Sequence, residues 1–156
     1  MKYRLLLSLL IFAPTVAGAQ SEEALVIGAM EKAMLVRYAL VEVNGLGEYE
    51  LRSAIGILKA KEAAAVAKIV TDPNSASRIR LMCLPKFNVK LVFGDAHGSK
   101  VVEGLLCTGC RETLERLNRK QVREFDLTRE AQTKLLEALA AGLPAIRSIS
   151  NEKQEG

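Results

Sequence analysis

The chain has 156 residues, 49% hydrophobic and 26% charged, with three Cys and a formal charge of +4. That composition fits one ordinary folded domain and excludes a disordered tail or a multidomain array. It also withholds any direct statement of activity, so the informative features are destination, architecture and a small cysteine constellation.

Residues 1–19 read as a secretory signal peptide. Lys2 and Arg4 form a positive start, Leu5 to Phe12 is apolar apart from Ser8, and Ala17-Gly18-Ala19 supplies small residues for cleavage after Ala19. The apolar stretch is shorter than the roughly 20 residues a membrane span requires. No Cys follows the cleavage point to accept a lipid. The expected product is a periplasmic or secreted bacterial protein without a stable membrane anchor. The leader holds two of the 22 bases and none of the 18 acids, so the remaining 137 residues carry a net charge of only +2. Residues 20–150 then form a single domain and 151–156 a flexible tail.

Ser21 predicts an N-cap for a helix over 22–33, with Glu22 and Glu23 in its first turn, where the helix dipole favours acids. Leu25, Ala29 and Ala33 share one face with Val26, Met30 and Met34 beside them. The two Met read as packing material, since thioethers at i,i+4 are core groups before they are copper ligands. From Leu35 to Val43 the chain is apolar and Val-rich, Asn44-Gly45 marks a turn, and Glu48 to Arg52 alternates charged and apolar residues, which together predict a hairpin. A second helix is expected over 60–70, with Ile57, Ala60, Ala64 and Ala67 near helical spacing and Thr71-Asp72-Pro73-Asn74 as its stop.

Ile79, Leu81, Cys83, Phe87, Val89, Leu91 and Phe93 share odd parity, the period of a strand. Pro85 inside that run marks an edge, a bulge or a break. Gly94 to Ser99 is a loop and Val101 to Cys107 a return strand. A hairpin centred between Ala96 and His97 sets Leu91 opposite Val102, Phe87 opposite Leu106 and Cys83 opposite Cys110. Residues 111–127 stay open. Glu112 with Arg116 and Glu115 with Arg119 are helix-favouring i,i+4 pairs, whereas Asn118-Arg119-Lys120 turns one strand into another. Thr128 caps a last helix over 129–141, ended by Gly142 and Pro144. The fold class is therefore α+β: an antiparallel sheet of about five or six strands packed with two or three helices.

The chemistry centres on Cys83, Cys107 and Cys110. Three thiols cannot all pair within one chain, and an exported protein forms disulfides. A bond from Cys83 to Cys107 or Cys110 with the spare thiol buried makes the trio a staple. A C-x-x-C at a helix N-terminus makes it a redox pair in which Cys107 attacks and Cys110 resolves. Against that second reading, Leu106 stands where thioredoxin-like folds place an aromatic, and little chain remains after Leu143-Pro144. Three Cys and His97 would complete a metal site on paper, but ten residues of strand separate His97 from Cys107, roughly 30 Å. Arg111 occupies the place where covalent haem attachment needs His. No cofactor is expected.

Other classes fall away. The 111–130 stretch mixes six bases with five acids, and aromatics are sparse, so no nucleic-acid face is present. A single His without G-x-S-x-G excludes a serine hydrolase. Gly45-Leu46-Gly47 opens like a dinucleotide fingerprint, but Glu50 replaces the third glycine.

The order Met82-Cys83-Leu84-Pro85, an apolar hairpin, Leu105-Leu106-Cys107-Thr108-Gly109-Cys110, then Phe125-Asp126-Leu127-Thr128 before a helix resembles a family of uncharacterised secreted bacterial proteins with a C-x-P, hairpin, C-x-x-C layout. The likeness spans about residues 33 to 141 and implies strands over 111–125; it brings no activity. The expected function is a non-enzymatic binding protein acting on an unknown envelope or extracellular partner and stabilised by a cysteine crosslink. The alternative is a thiol-disulfide or metal-handling protein using the three Cys.

Overall fold

The computed structural model describes residues 21–43, 48–79 and 86–146. The signal peptide expected over 1–19, the turn expected at Asn44-Gly45, Leu81, Cys83, Pro85 and the tail expected over 151–156 lie outside the described residues. Within them the chain runs α1 (Glu22–Glu31), β1 (Leu35–Val43), β2 (Tyr49–Leu51), β3 (Gly56–Lys59), α2 (Ala60–Thr71), a short 3-10 turn (Pro73–Ser75), β4 (Val89–Gly94), β5 (Lys100–Leu106), β6 (Glu112–Leu117), β7 (Lys120–Asp126) and α3 (Arg129–Ala140).

The strands form one seven-stranded antiparallel sheet in the order β2-β1-β4-β5-β6-β7, with β3 also on β1. The fold is α+β, with seven strands where the pattern predicts five or six. The additional strand is β3, which the sequence reading merged with the spacing of α2. It pairs Leu58 with Val36 and Gly56 with Tyr38. Gly56 has no side chain because the Tyr38 ring lies over it: a Cβ there would sit 2.4 Å from Tyr38 Cζ. β3 and β2 share one edge of β1, taking residues 35–38 and 41–43 respectively. At the break between them Ser53 Oγ accepts the Leu40 N–H at 2.9 Å, and Arg52 N–H donates to Leu40 O at 2.8 Å. A side chain thus replaces a ladder partner, which keeps the buried backbone satisfied.

Each helix starts or stops where its sequence signals it. Ser21 Oγ accepts from Ala24 N–H, Thr128 Oγ1 from Ala131 N–H, and Asp72-Pro73 ends α2. All three helices pack on one face of the sheet. Val26 and Met30 of α1, Val66 and Val70 of α2, and Leu135 and Leu139 of α3 meet Val36, Tyr38, Val89, Leu91, Phe93, Val102 and Leu106. Each such large apolar side chain taken from water contributes about 1.5–3 kcal/mol before chain entropy is charged against it. Met30 is core, as its spacing predicts, whereas Met34 is half exposed beyond the helix end.

The inward row Val89, Leu91 and Phe93 is buried as the period-two pattern requires, but its register differs by two residues from the predicted one. Phe93 faces Val102, Leu91 faces Gly104 and Val89 faces Leu106. A bulge between Phe93 and Gly94 absorbs the difference. It is stabilised by Asp95, whose carboxylate accepts the His97 and Ser99 N–H groups, and by Arg37, which donates to Gly98 O. Phe87 precedes β4, and Ile79 is exposed rather than inward.

On the second face of the sheet Ala39, Val41, Leu105 and Leu114 are buried. Tyr49 of β2 stacks 5.8 Å from the Arg116 guanidinium of β6. In a flat sheet these residues would stand well over 20 Å apart, since β1, β4 and β5 lie between their strands at about 4.8 Å spacing and Tyr49 is six residues along β1 from the rank of Arg116. The β1–β2 arm therefore folds over this second face.

Candidate functional site

Residues 111–127, left open by the sequence, are strands β6 and β7 joined by the two-residue turn Asn118-Arg119. Both turn residues adopt left-handed φ, 51° and 68°, the signature of a tight hairpin turn. The strand reading places the C-x-x-C between two strands, so no helix N-terminus follows Cys110. The helix dipole that would activate a thioredoxin-like thiol is absent from this site.

Cys107 N–H donates to Glu112 O at 2.8 Å and closes the β5–β6 hairpin; Thr108, Gly109 and Cys110 form its turn, and Arg111 at φ 63° redirects the chain into β6. The turn is fastened from two sides. Asn88, which leads into β4, accepts the Thr108 N–H at 3.1 Å and donates to Thr108 Oγ1 at 2.7 Å. Gln132 of α3 donates to Thr108 O at 2.6 Å. Cys107 is a free thiol, 2% exposed, whereas Cys110 is engaged. The Cys110 N–H donates to Cys107 Sγ at 3.3 Å. Burial keeps solution electrophiles away from the sulfur.

His97 lies at the β4–β5 loop, at the opposite end of β5 from Cys107, and is exposed. The Asp95 carboxyl beside it is held below its ordinary range, chiefly by the Ser99 N–H and then, against the opposing effect of burial, by the His97 N–H and ring. Among the described residues no group of three or more His, Cys, Asp and Glu is placed to hold a metal ion. No described helix is long and apolar enough to cross a membrane.

Two features escape the sequence reading. The first is a buried charge group. Glu115 is paired there with Arg119 at helical spacing, but the strand turns it inward opposite Arg123, with Oε2 at 3.6 Å from Arg123 Nη1. Burial pushes the Glu115 carboxyl up to about 7, with Arg123 opposing and Glu23 reinforcing the shift. The available signal was parity alone: Thr113, Glu115 and Leu117 share the inward row of a strand. The second is an apolar row on the β2–β3 edge. Leu51, Ile55 and Ile57 are 56%, 53% and 52% exposed, and among the described residues β2 and β3 each pair only with β1. No protein family, curated protein or solved structure matches this chain.

Proposed function

We propose that this chain is an exported, non-enzymatic interaction protein of the bacterial periplasm or exterior, stapled by a disulfide between Cys83 and Cys110, that takes an apolar, extended segment of an envelope or extracellular protein along its β2–β3 edge. The observation that carries the reading is the row Leu51, Ile55 and Ile57, more than half exposed on an edge that no described strand covers. Exposed apolar side chains on a sheet edge suit strand addition, in which side-chain contacts act together with whatever main-chain bonds the edge allows. Export rests on the leader at 1–19, and the staple on Cys110 being engaged while Cys107 is free.

The test is retention of a discrete envelope protein by the wild-type chain and its loss with Ile57→Lys, at equal unfolding midpoints for the two proteins. Equal retention by both refutes the edge as the binding surface.

A thiol-disulfide or metal-handling role is the second reading, favoured by the Cys110 N–H aimed at Cys107 Sγ. Thiol counting under native and denaturing conditions, with intact mass for metal, separates the two. Slow native labelling, one thiol released by denaturant and no metal support the staple; rapid alkylation of native Cys107 supports thiol chemistry.

A further inference from the structure

Beneath the first turn of α1, the inward face of β6 and β7 holds polar atoms that make no hydrogen bond. Glu115 is fully buried and neither carboxylate oxygen accepts a hydrogen bond; Thr113 Oγ1 and Arg123 Nη1 are buried and likewise unbonded. Buried polar groups are ordinarily satisfied, and a group of four such atoms on two neighbouring strands marks a place where the closed structure is under electrostatic stress.

The same place is where α1 is fastened by charge. Lys120 Nζ binds both oxygens of Glu22 at 2.7 and 2.8 Å, and Arg123 Nε lies 3.6 Å from Glu23 Oε1. Arg123 also faces Glu115 and donates to Val70 O at 3.2 Å, so one guanidinium serves two carboxylates. The apolar hold of the helix is modest: Val26 and Met30 are its buried residues and Leu25 is half exposed.

We propose that α1 is a pH-gated flap, closed over β6 and β7 while Glu115 carries a proton and loosened when Glu115 ionises. The charges that act on Glu115 are Glu23 from α1 and Arg123 from β7, and the exposed Glu22–Lys120 pair joins the same two elements beside them. α2 offers the Val70 carbonyl to Arg123, and β5 places Gly104 opposite Glu115. With Glu115 protonated, two acids balance two bases. With it ionised, a third negative charge is added, this one buried and accepting no hydrogen bond, and lifting α1 gives it water. Opening would uncover Val26 and Met30 together with the charged group, a surface absent from the closed state.

The sign follows from burial, which raises the Glu115 carboxyl from 4.5 to about 7 in the closed form. Closure therefore holds the proton more tightly than the open form does, and it weakens as pH climbs through that interval. Between pH 5.5 and 8.5 the opening constant of α1 should rise about 30-fold.

Hydrogen exchange by mass spectrometry on the full chain at those two pH values, corrected for intrinsic exchange rates, reads this directly. The expected result is that α1 peptides exchange faster than α3 peptides at both pH values, lose protection by about that factor between them, and show no such loss in Glu115→Gln. Equal absolute protection of α1 and α3, which means that α1 opens only with the whole fold, or a pH-dependent loss retained in Glu115→Gln, overturns the proposal. Should Glu115→Gln fail to fold, Glu23→Gln serves instead. Removing that like charge should move the midpoint of the α1 transition to lower pH, and an unmoved midpoint overturns the proposal equally.

Discussion

Tyr38 ties three elements together, and its geometry yields a quantitative prediction. Its ring lies over Gly56 of β3, and its hydroxyl donates to Leu139 O at the end of α3 at 2.7 Å. A Cβ on Gly142 would stand 2.3 Å from the hydroxyl oxygen but 3.5 Å from Cζ. Tyr38→Phe removes one neutral hydrogen bond. Leu139 O keeps Gly142 N–H and Leu143 N–H as donors, so the loss should be about 1 kcal/mol. Gly142→Ala introduces a methyl group that the hydroxyl must yield to, while Gly56 blocks retreat of the ring on the other side; overpacking of this kind costs about 2 kcal/mol. In the double variant the methyl meets Cζ and Leu58 Cδ2 at ordinary contact distance, so the combined loss should return to about 1 kcal/mol. The coupling between the sites is then about 2 kcal/mol, measured by urea unfolding of the wild type, both single variants and the double variant. Losses that add to within about 0.5 kcal/mol would refute the reasoning, because independent sites add to that precision.

Glu115 also governs global stability. Its carboxyl stands near 7 when folded and near 4.5 when exposed, so the folded state is favoured below that interval and loses up to about 3 kcal/mol as pH rises through it. Urea unfolding at pH 5 and 8.5 should show that loss in the wild type and a flat profile in Glu115→Gln; a wild-type protein equally stable at both values would contradict the buried, unbonded carboxylate. At the C-x-x-C turn, Asn88→Ala removes both side-chain bonds to Thr108, worth about 2 kcal/mol together. If the turn screens Cys107 as its burial indicates, native alkylation of that thiol should accelerate about 30-fold, and an unchanged rate would show that Asn88 does not hold the turn closed.

Local signals carry far in this chain and fail for identifiable reasons. Ser21, Thr128 and Asp72-Pro73 mark helix boundaries because capping bonds are made within three residues, and the burial of Val89, Leu91 and Phe93 follows from alternation alone. β3 is invisible locally: Gly-Ile-Leu-Lys becomes a strand because Tyr38, eighteen residues earlier, occupies the space above Gly56. The β4–β5 register depends on Asp95, whose side chain closes a bulged loop that no count of turn residues anticipates. In 111–127 the helical i,i+4 pairs are present in the sequence, but their worth of a few tenths of a kcal/mol is small beside the pairing of β6 with both neighbours. Glu115 was illegible for a further reason: a carboxylate on an inward row contradicts the pattern that identifies inward rows. Of the candidate site, the sequence located Cys107 and Cys110 at one end of a hairpin but not the hydrogen bonds that bury and hold them.

The division of one edge of β1 between β2 and β3 bears on how a partner would be held. An uninterrupted edge is a template for uncontrolled strand addition, and proteins blunt it with short strands and irregular breaks. Here β2 offers three residues and β3 four, and at the gap Ser53 turns its hydroxyl inward to Leu40 in place of a backbone group. An incoming strand could therefore pair over only one short stretch at a time, and the main chain alone would supply little affinity. Leu51 and Ile57 pair with Val41 and Arg37 of β1, two odd-numbered positions, so both side chains point to the same face, with Ile55 on the connection between them. Recognition at such an edge must then reside in the side chains, which is why a single charge at Ile57, leaving every backbone bond of β3 in place, is expected to abolish binding while the fold persists.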